Sequence, residues 1–291
     1  MQKQGTVVIT GKPNVGKSTL INYLAQHEVA ITSPKPQTTR NQINFIFENE
    51  KYKIAFIDTP GFHFSRNKLD ESLNRSIKNA YKYADCAILL IDVTRELNEE
   101  DEEVIKMLQS FKIENVILVI NKIDLDSEHK AESYTEKVKS LIKVKDVITI
   151  SALNGNNIDK LLTVVEKYLS NNPITLQNTD GDNFIISEII REQIIRNFKQ
   201  EIPYATSVYI KHKEYKEKEN QFIINADIVV EKASQKPIII GAKGKAIKII
   251  RVNSLKKLQT IYDCKIELHL FVVVKEDWRN NVNNLKDNGY F

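Results

Sequence analysis

The sequence predicts two domains: an α/β domain built on a mostly parallel sheet with helices on both faces, and a smaller α+β domain after it. Three observations carry this. Up to about residue 172, short apolar runs alternate with stretches whose apolar residues recur every three or four positions, the pattern of strands joined by crossover helices. The stretch 171–183, NNPITLQNTDGDN, breaks that pattern with polar residues, a proline and a glycine. Beyond it the order becomes helix, two alternating strands, a glycine-rich turn, one or two helices and a last strand. The resulting boundaries are a first domain over 1–172, a linker over 173–182 and a second domain over 183–291.

Each element has its own signal. Residues 5–10 (GTVVIT) form a β-branched run, the first strand. Residues 41–48 alternate, with Ile43, Phe45 and Phe47 on one face, and residues 51–57 supply a hairpin partner. Residues 86–93, 115–120 and 147–150 are apolar runs that read as buried strands. Leu69, Leu73, Ile77 and Tyr81 recur every four residues, as do Ile158, Leu162 and the neighbouring Leu161, Val165 and Leu169 at helical spacing. Glu99, Glu100 and Asp101 precede Val104, Ile105 and Leu108, so acids occupy a first helical turn and complement its dipole. In the second domain a helix is expected over 184–199, strands over 206–213, 221–230 and 265–274, and helical structure up to Tyr262.

Composition sets outer limits. The 291 residues are 42% hydrophobic and 27% charged, ordinary for a globular chain with a core in each half. A net charge of +4 is too mild to argue for nucleic acid by itself. Two cysteines, Cys86 and Cys264, lie in different halves with no metal-ligand spacing, which fits a reducing, cytoplasmic setting. The N-terminal MQKQGTVVIT lacks the apolar core of a secretion signal, and no apolar run approaches the ~20 residues that span a bilayer.

Gly11-Lys12-Pro13-Asn14-Val15-Gly16-Lys17-Ser18, followed by Thr19, fits G-x-x-x-x-G-K-[ST] between a strand and a helix. That is the P-loop arrangement: glycines let backbone N–H groups wrap a phosphate, and the helix N-terminus adds positive potential. Lys17 is then the bridge between β- and γ-phosphates, and the Ser18 hydroxyl a Mg²⁺ ligand. Asp58-Thr59-Pro60-Gly61 ends a strand downstream, where the carboxylate of Asp58 can reach Mg²⁺ through water and the Gly61 N–H the γ-phosphate. Between the two lies Pro36-Gln37-Thr38-Thr39-Arg40, in which a threonine, Thr39 in preference to Thr38, can add its hydroxyl to Mg²⁺ when a triphosphate is bound.

Asn121-Lys122-Ile123-Asp124 follows the next strand but one. Guanine presents N1–H and N2–H₂ together, and one carboxylate, Asp124, can accept both; adenine lacks the pair. Lys122 can lay its stem over the base, and Asn121 can tie the loop back to the P-loop. Ser151-Ala152-Leu153 follows the last strand, where the Ala152 N–H can donate to guanine O6. The set in this order resembles the translation-factor type of GTPase, which implies an α/β P-loop NTPase domain with a six-stranded sheet and one antiparallel hairpin strand. The resemblance also implies GTP and GDP as ligands. Ras-like enzymes orient water with a glutamine after the D-x-x-G motif; here that residue is Phe62, which has no such group. In relatives with an apolar residue there, a P-loop asparagine helps hold K⁺, and the resemblance gives Asn14 that role along with a part in catalysis beside Lys17, Thr39, Asp58 and Gly61.

In the second domain, residues 236–250 read KPIIIGAKGKAIKII. A G-x-x-G loop, Gly241-Ala242-Lys243-Gly244, opening a helix lets a nucleic-acid backbone approach closely, and the element order is that of a KH domain, of type II. Ile240 precedes the loop, and Lys243, Lys245, Lys248 and Arg251 set positive charge beside it. Ile239, Ile247 and Ile250 are expected to divide between core and groove. Taken end to end, the chain resembles the Era family, bacterial GTPases of small-subunit assembly. ITSPKPQTTRNQI, FIISEIIREQII, EIPYATSVYI, IIIGAKGKAIKII and Asp277-Trp278-Arg279 carry the likeness. It implies binding near the 3′ end of 16S rRNA, action on the 30S subunit, coupling to GTP, a monomer, and a cytoplasmic location with peripheral association with the cell membrane. Two other readings remain at this point: a signalling GTPase whose second domain binds a protein, and an RNA-binding module whose affinity ignores the nucleotide.

Overall fold

A computed structural model describes residues 2–26, 43–58, 67–126, 130–172, 174 and 181–287. The chain divides into two compact units, Met1–Phe64 with Leu73–Asp180, and Ser65–Ser72 with Gly181–Phe291. In the first, the elements are β1 (Lys3–Thr10), α1 (Lys17–Ala25), β2 (Ile43–Glu48), β3 (Tyr52–Asp58), α2 (Lys68–Lys82, of which the residues up to Ser72 fall in the second unit), β4 (Cys86–Asp92), α3 (Glu99–Ser110), β5 (Val116–Asn121), α4 (Ala131–Leu141), β6 (Asp146–Thr149) and α5 (Ile158–Glu166). The strands form one six-stranded sheet in the order β2-β3-β1-β4-β5-β6. Only β2 is antiparallel, paired to β3 from Ile43↔Asp58 to Glu48↔Lys53.

The reason for this sheet lies in strand composition. Every residue of β4 and of β5 is buried, so both faces of the sheet are covered. Val8, Ile57, Leu89, Ile91, Leu118 and Ile120 meet the apolar stripes of α2, α3 and α4, with Ile77, Ile105 and Val138 at their centre. Alternate strand residues, among them Ile9, Phe56, Ile88 and Val119, are equally buried on the opposite face, where α1 and α5 present Leu20, Ile21, Leu24, Leu161, Leu162 and Val165. The expected four-residue stripe of α2 is buried throughout: Leu69, Leu73, Ile77 and Tyr81. Because the five parallel strands point the same way, Thr10, Asp58, Asp92, Asn121 and Thr149 end them along one edge. The chain order reverses at β1, between β3 and β4, and ligands of such sheets bind beyond the strand ends at this switch point.

The second unit contains α6 (Asp182–Asn197), α7 (Ile202–Ala205), β7 (Ser207–Lys216), β8 (Gln221–Val230), α8 (Gln235–Ile240), α9 (Lys245–Leu258), β9 (Lys265–Val274) and α10 (Val282–Asp287). Its three strands lie in the order β7-β8-β9, β7 antiparallel to β8 and β9 parallel to it. Strict alternation along β8 buries Phe222, Ile224, Ala226 and Ile228 on one face. There they meet α6 through Ile186, Ile190 and Ile194, and α9 through Ile250 and Leu258. Trp278 is fully buried and its indole N–H donates to the Ala205 carbonyl at 3.0 Å, which locks the chain beyond β9 onto the end of α7.

Differences from expectation are local. The helix expected over 184–199 starts two residues earlier, after Gly181, and ends at Asn197 because Phe198 is extended. Of the one or two helices expected before the last strand, two are present, α8 and α9, parted by a 3-10 turn over Ala242–Gly244, and α9 stops at Leu258 short of Tyr262. Most of the stretch read as a linker, residues 173 and 175–180, lies outside the described residues.

One consequence concerns the thiols. Burial, with Asp85 adding to it, pushes the Cys86 thiol up to about 12, whereas Cys264 is half-buried. At pH 8 the Cys86 thiolate is then on the order of one part in ten thousand. A thiol reagent is expected to titrate Cys264 alone in the native protein and both cysteines after unfolding.

Candidate nucleotide site and nucleic-acid loop

The loop after β1 is shaped by its backbone. Gly11, Asn14 and Gly16 have φ of 149°, 66° and 106°. At Gly16 the need for glycine is double: the conformation is left-handed, and a Cβ would stand 2.2 Å from the Asn121 Nδ2. Lys17 starts α1 and turns back over the loop, its Nζ donating to the carbonyls of Gly11 (2.8 Å) and Lys12 (3.0 Å). Burial lowers the pKa of this ammonium and the nearby Asp58 carboxylate opposes the shift. Asp58, fully buried at the end of β3, has its Oδ2 3.4 Å from the Ser18 hydroxyl. Two oxygen donors thus converge beside the first turn of α1, with a lysine at hand. Pro13 and Thr19 are half-buried, and Val15 is buried.

Asn121 joins three loops. Its Nδ2 donates to the Val15 carbonyl at 2.8 Å, and its Oδ1 accepts from the Ala152 N–H at 2.9 Å. The Ala152 amide, expected to face guanine O6, is therefore already engaged by Asn121. Ser151 is buried and its hydroxyl accepts from the Asn154 N–H at 3.2 Å, which tightens the turn. Asp124 lies on an exposed 3-10 turn, Ile123–Leu125, and Leu153 is exposed on the neighbouring loop. Lys122 stands in the left-handed region at φ 68°. Its Nζ donates to the Asn14 carbonyl at 3.0 Å and to Asp92 Oδ2 at 2.6 Å.

Two acids outside the sequence motifs hold this architecture. Asp92, at the end of β4, takes Lys122 on one oxygen and the Thr94 hydroxyl and N–H on the other. Burial works to raise its pKa, but Lys122 and Thr94 outweigh it and hold the carboxyl below the usual range. Asp101, read from sequence as a first-turn acid, is buried and accepts from Lys12 Nζ at 2.6 Å. The Lys12 ammonium is thereby engaged by α3, while its backbone carbonyl accepts from Lys17 Nζ. The signal available was position alone, since Asp92 ends a strand on the edge where Asn121 ends another. Thr38, Thr39, Thr59, Pro60, Gly61 and Phe62 lie outside the described residues.

In the second unit the G-x-x-G loop is left-handed at Gly241, Lys243 and Gly244 (φ 72°, 52° and 75°). A Cβ at Gly241 would meet the Ala246 Cβ at 2.6 Å, while at Gly244 it would meet nothing within 4 Å. Gly241 is thus required by packing as well as by φ, and Gly244 leaves open space. Ala242, Lys243, Lys245, Lys248 and Arg251 are exposed, and among the described residues none of these four cations has an ion-pair partner. The opposite end of α9 differs: Lys257 pairs with Glu192 at 2.5 Å, and Glu192 also holds Arg196. The expected sharing of Ile239 and Ile250 between core and groove is corrected, because both are fully buried. Ile240 and Ile247 are partly buried, and the isoleucines open to a ligand are Ile238 and Ile249, each 48% exposed.

A P-loop nucleotide site on this sheet, followed by a G-x-x-G loop on a three-stranded α+β unit, defines a GTPase joined to a KH domain. The model of the 50S ribosome-binding GTPase family matches residues 6–122, and that of the KH domain residues 201–279. GTPase Era of Ureaplasma urealyticum serovar 10 (strain ATCC 33699 / Western) is 44% identical, covering 100% of this chain and 98% of its own. GTPase Era of Lactobacillus helveticus (strain DPC 4571) is 38% identical over 99% and 96%. Among solved structures, a tyrosine-to-alanine variant of Aquifex aeolicus Era bound to GDP and AlF₄⁻ superposes with a TM-score of 0.86 at 32% identity, covering 99% of each chain. Era in complex with MgGDPNP and nucleotides 1506–1542 of 16S ribosomal RNA gives 0.87 at 32% identity, over 100% and 99%. The chain belongs to the Era family of GTPases. Among the described residues no helix is long and apolar enough to cross a membrane.

Proposed function

We propose that this GTPase is a switch that binds 16S rRNA near its 3′ end through the G-x-x-G loop and assists assembly of the 30S subunit. The observation that carries the RNA reading is the set of four exposed, unpaired cations, Lys243, Lys245, Lys248 and Arg251, beside a loop with open space over Gly244. Phosphates are held by such cations, and bases by the apolar floor next to them. The relative solved with a 16S fragment supports rRNA binding by whole-chain likeness.

In the first unit, Lys17 meets the β- and γ-phosphates and the P-loop amides surround them. Ser18 and Asp58 are hard oxygen donors of the kind Mg²⁺ takes, and they fit such an ion, Asp58 through water. Mg²⁺ supplies charge neutralisation of the phosphates. Hydrolysis needs positioning and charge stabilisation more than covalent chemistry, so Lys17 and the loop amides carry the chain's own share. Thr39 and Gly61 are assigned to the γ-phosphate, and Asn14 to a K⁺ ion. If Asn14 serves K⁺, turnover in K⁺ buffer exceeds that in Na⁺ buffer; equal rates remove the assignment.

Asp124 selects guanine by accepting from N1–H and N2–H₂. Asp124→Asn is expected to weaken GTP binding by about 100-fold or more and to improve xanthosine triphosphate, whose N1–H and O2 match an amide. Competition against labelled GDP measures both.

Affinity for a single-stranded 16S 3′-end RNA, compared for nucleotide-free, GDP-bound and GDPNP-bound protein, tests the switch. Tight binding only with GDPNP is expected, with a slope of log affinity on log salt of ~−3 for four phosphate contacts. The Ala242→Asp, Lys243→Asp variant should lose it. Equal affinity in all three states removes the gating; no binding in any state returns the second unit to a protein-docking role.

A further inference from the structure

The loop after β1 carries a lysine whose ammonium is buried against α3. Lys12 is 5% exposed, with its ammonium 2.6 Å from Asp101 Oδ2 and 3.4 Å from the Glu96 carbonyl. The same carboxylate oxygen accepts the Asn98 N–H at 3.1 Å and closes the capping box at the start of α3. One oxygen therefore ends a helix and anchors the loop. A buried ammonium is costly unless paired, and an exposed lysine would serve the fold as well, so its inward course calls for a reason.

The reason lies in what the same residue does with its backbone. The carbonyls of Lys12 and Gly11 accept from Lys17 Nζ at 3.0 and 2.8 Å. The Lys12 side chain is held on one side by Asp101, and its carbonyl holds Lys17 on the other. Gly11 lies close against β4, where a Cβ would stand 2.4 Å from the Leu90 carbonyl. We propose that Asp101 is a positioning residue of the phosphate site, which acts through Lys12 to fix the carbonyls that set Lys17. The proposal rests on the reading of Lys17 as the phosphate contact. Asp101 lies on a helix that contributes none of the P-loop, base or switch motifs, and it makes α3 part of the nucleotide machinery.

The test is the release rate of fluorescent mant-GDP from the full chain, with melting temperature measured alongside. Asp101→Asn is expected to speed release about ten-fold, the scale of coupling between directly bonded groups. That variant leaves Lys12 buried without a counter-charge, so instability could imitate the effect. The double variant Lys12→Met, Asp101→Leu removes both charges and can recover stability. Recovered melting with release still about ten-fold fast supports positioning. Recovered melting with wild-type release overturns it and leaves a purely structural pair. Glu102→Gln, an exposed acid in the same turn, should leave release unchanged; a matching acceleration there would assign the effect to helix charge and overturn the proposal. Lys17→Ala separates the premise: if its release equals wild type, the phosphate reading fails, and the proposal with it.

Discussion

The side-chain amide of Asn121 is the contact on which the nucleotide site depends. It donates to the loop after β1 and accepts from the loop after β6, while its own backbone ends β5. An amide has a donor and an acceptor on one rigid plane, so a single residue sets the spacing between phosphate and base recognition. Gly16 is glycine partly because this amide occupies the space a Cβ would take. Asp92 adds a parallel tie, since Lys122, which it holds, also reaches the Asn14 carbonyl. The loops would otherwise be free ends of separate strands, and side-chain bonds between them turn an edge of the sheet into one preorganised surface.

Much of this is legible in the sequence, for a physical reason. Phosphate binding by backbone needs glycines at fixed places, and guanine needs a carboxylate, so those demands leave residue types at set spacings. The parallel sheet was equally legible because strands covered on both faces must be apolar throughout, as β4 and β5 are. What escaped was whatever acts by tertiary proximity. Asp101 looked like any acid in a first helical turn, and only the approach of Lys12, 89 residues away, gives it another role. The isoleucines next to the G-x-x-G loop failed for a different reason. Ile238, Ile239 and Ile240 are consecutive, and helical phase decides which of them is buried; composition cannot.

Some charges of the second unit are neutralised within its helices. On α6, Arg191 makes a bidentate pair with Glu188, both nearly buried, and Glu192 absorbs Arg196 and Lys257. Burial strengthens such pairs and raises the cost of breaking them. Arg191, Arg196 and Lys257 are thus neutralised, whereas Lys243, Lys245, Lys248 and Arg251 beside the loop are not. A net charge of +4 hides this division, which is why overall charge said so little.

The place of β1 in the sheet bears on how the protein is made. It is first in the chain yet central, with β3 on one side and β4 on the other, and Val7, Val8 and Ile9 are fully buried. During synthesis its edges stay bare until Asp58 and then Asp92 have emerged. An unpaired apolar strand edge invites pairing with other chains. The nascent chain therefore passes through a long interval of vulnerability to aggregation, and a slow-moving ribosome would lengthen that interval before the sheet can shield its own centre.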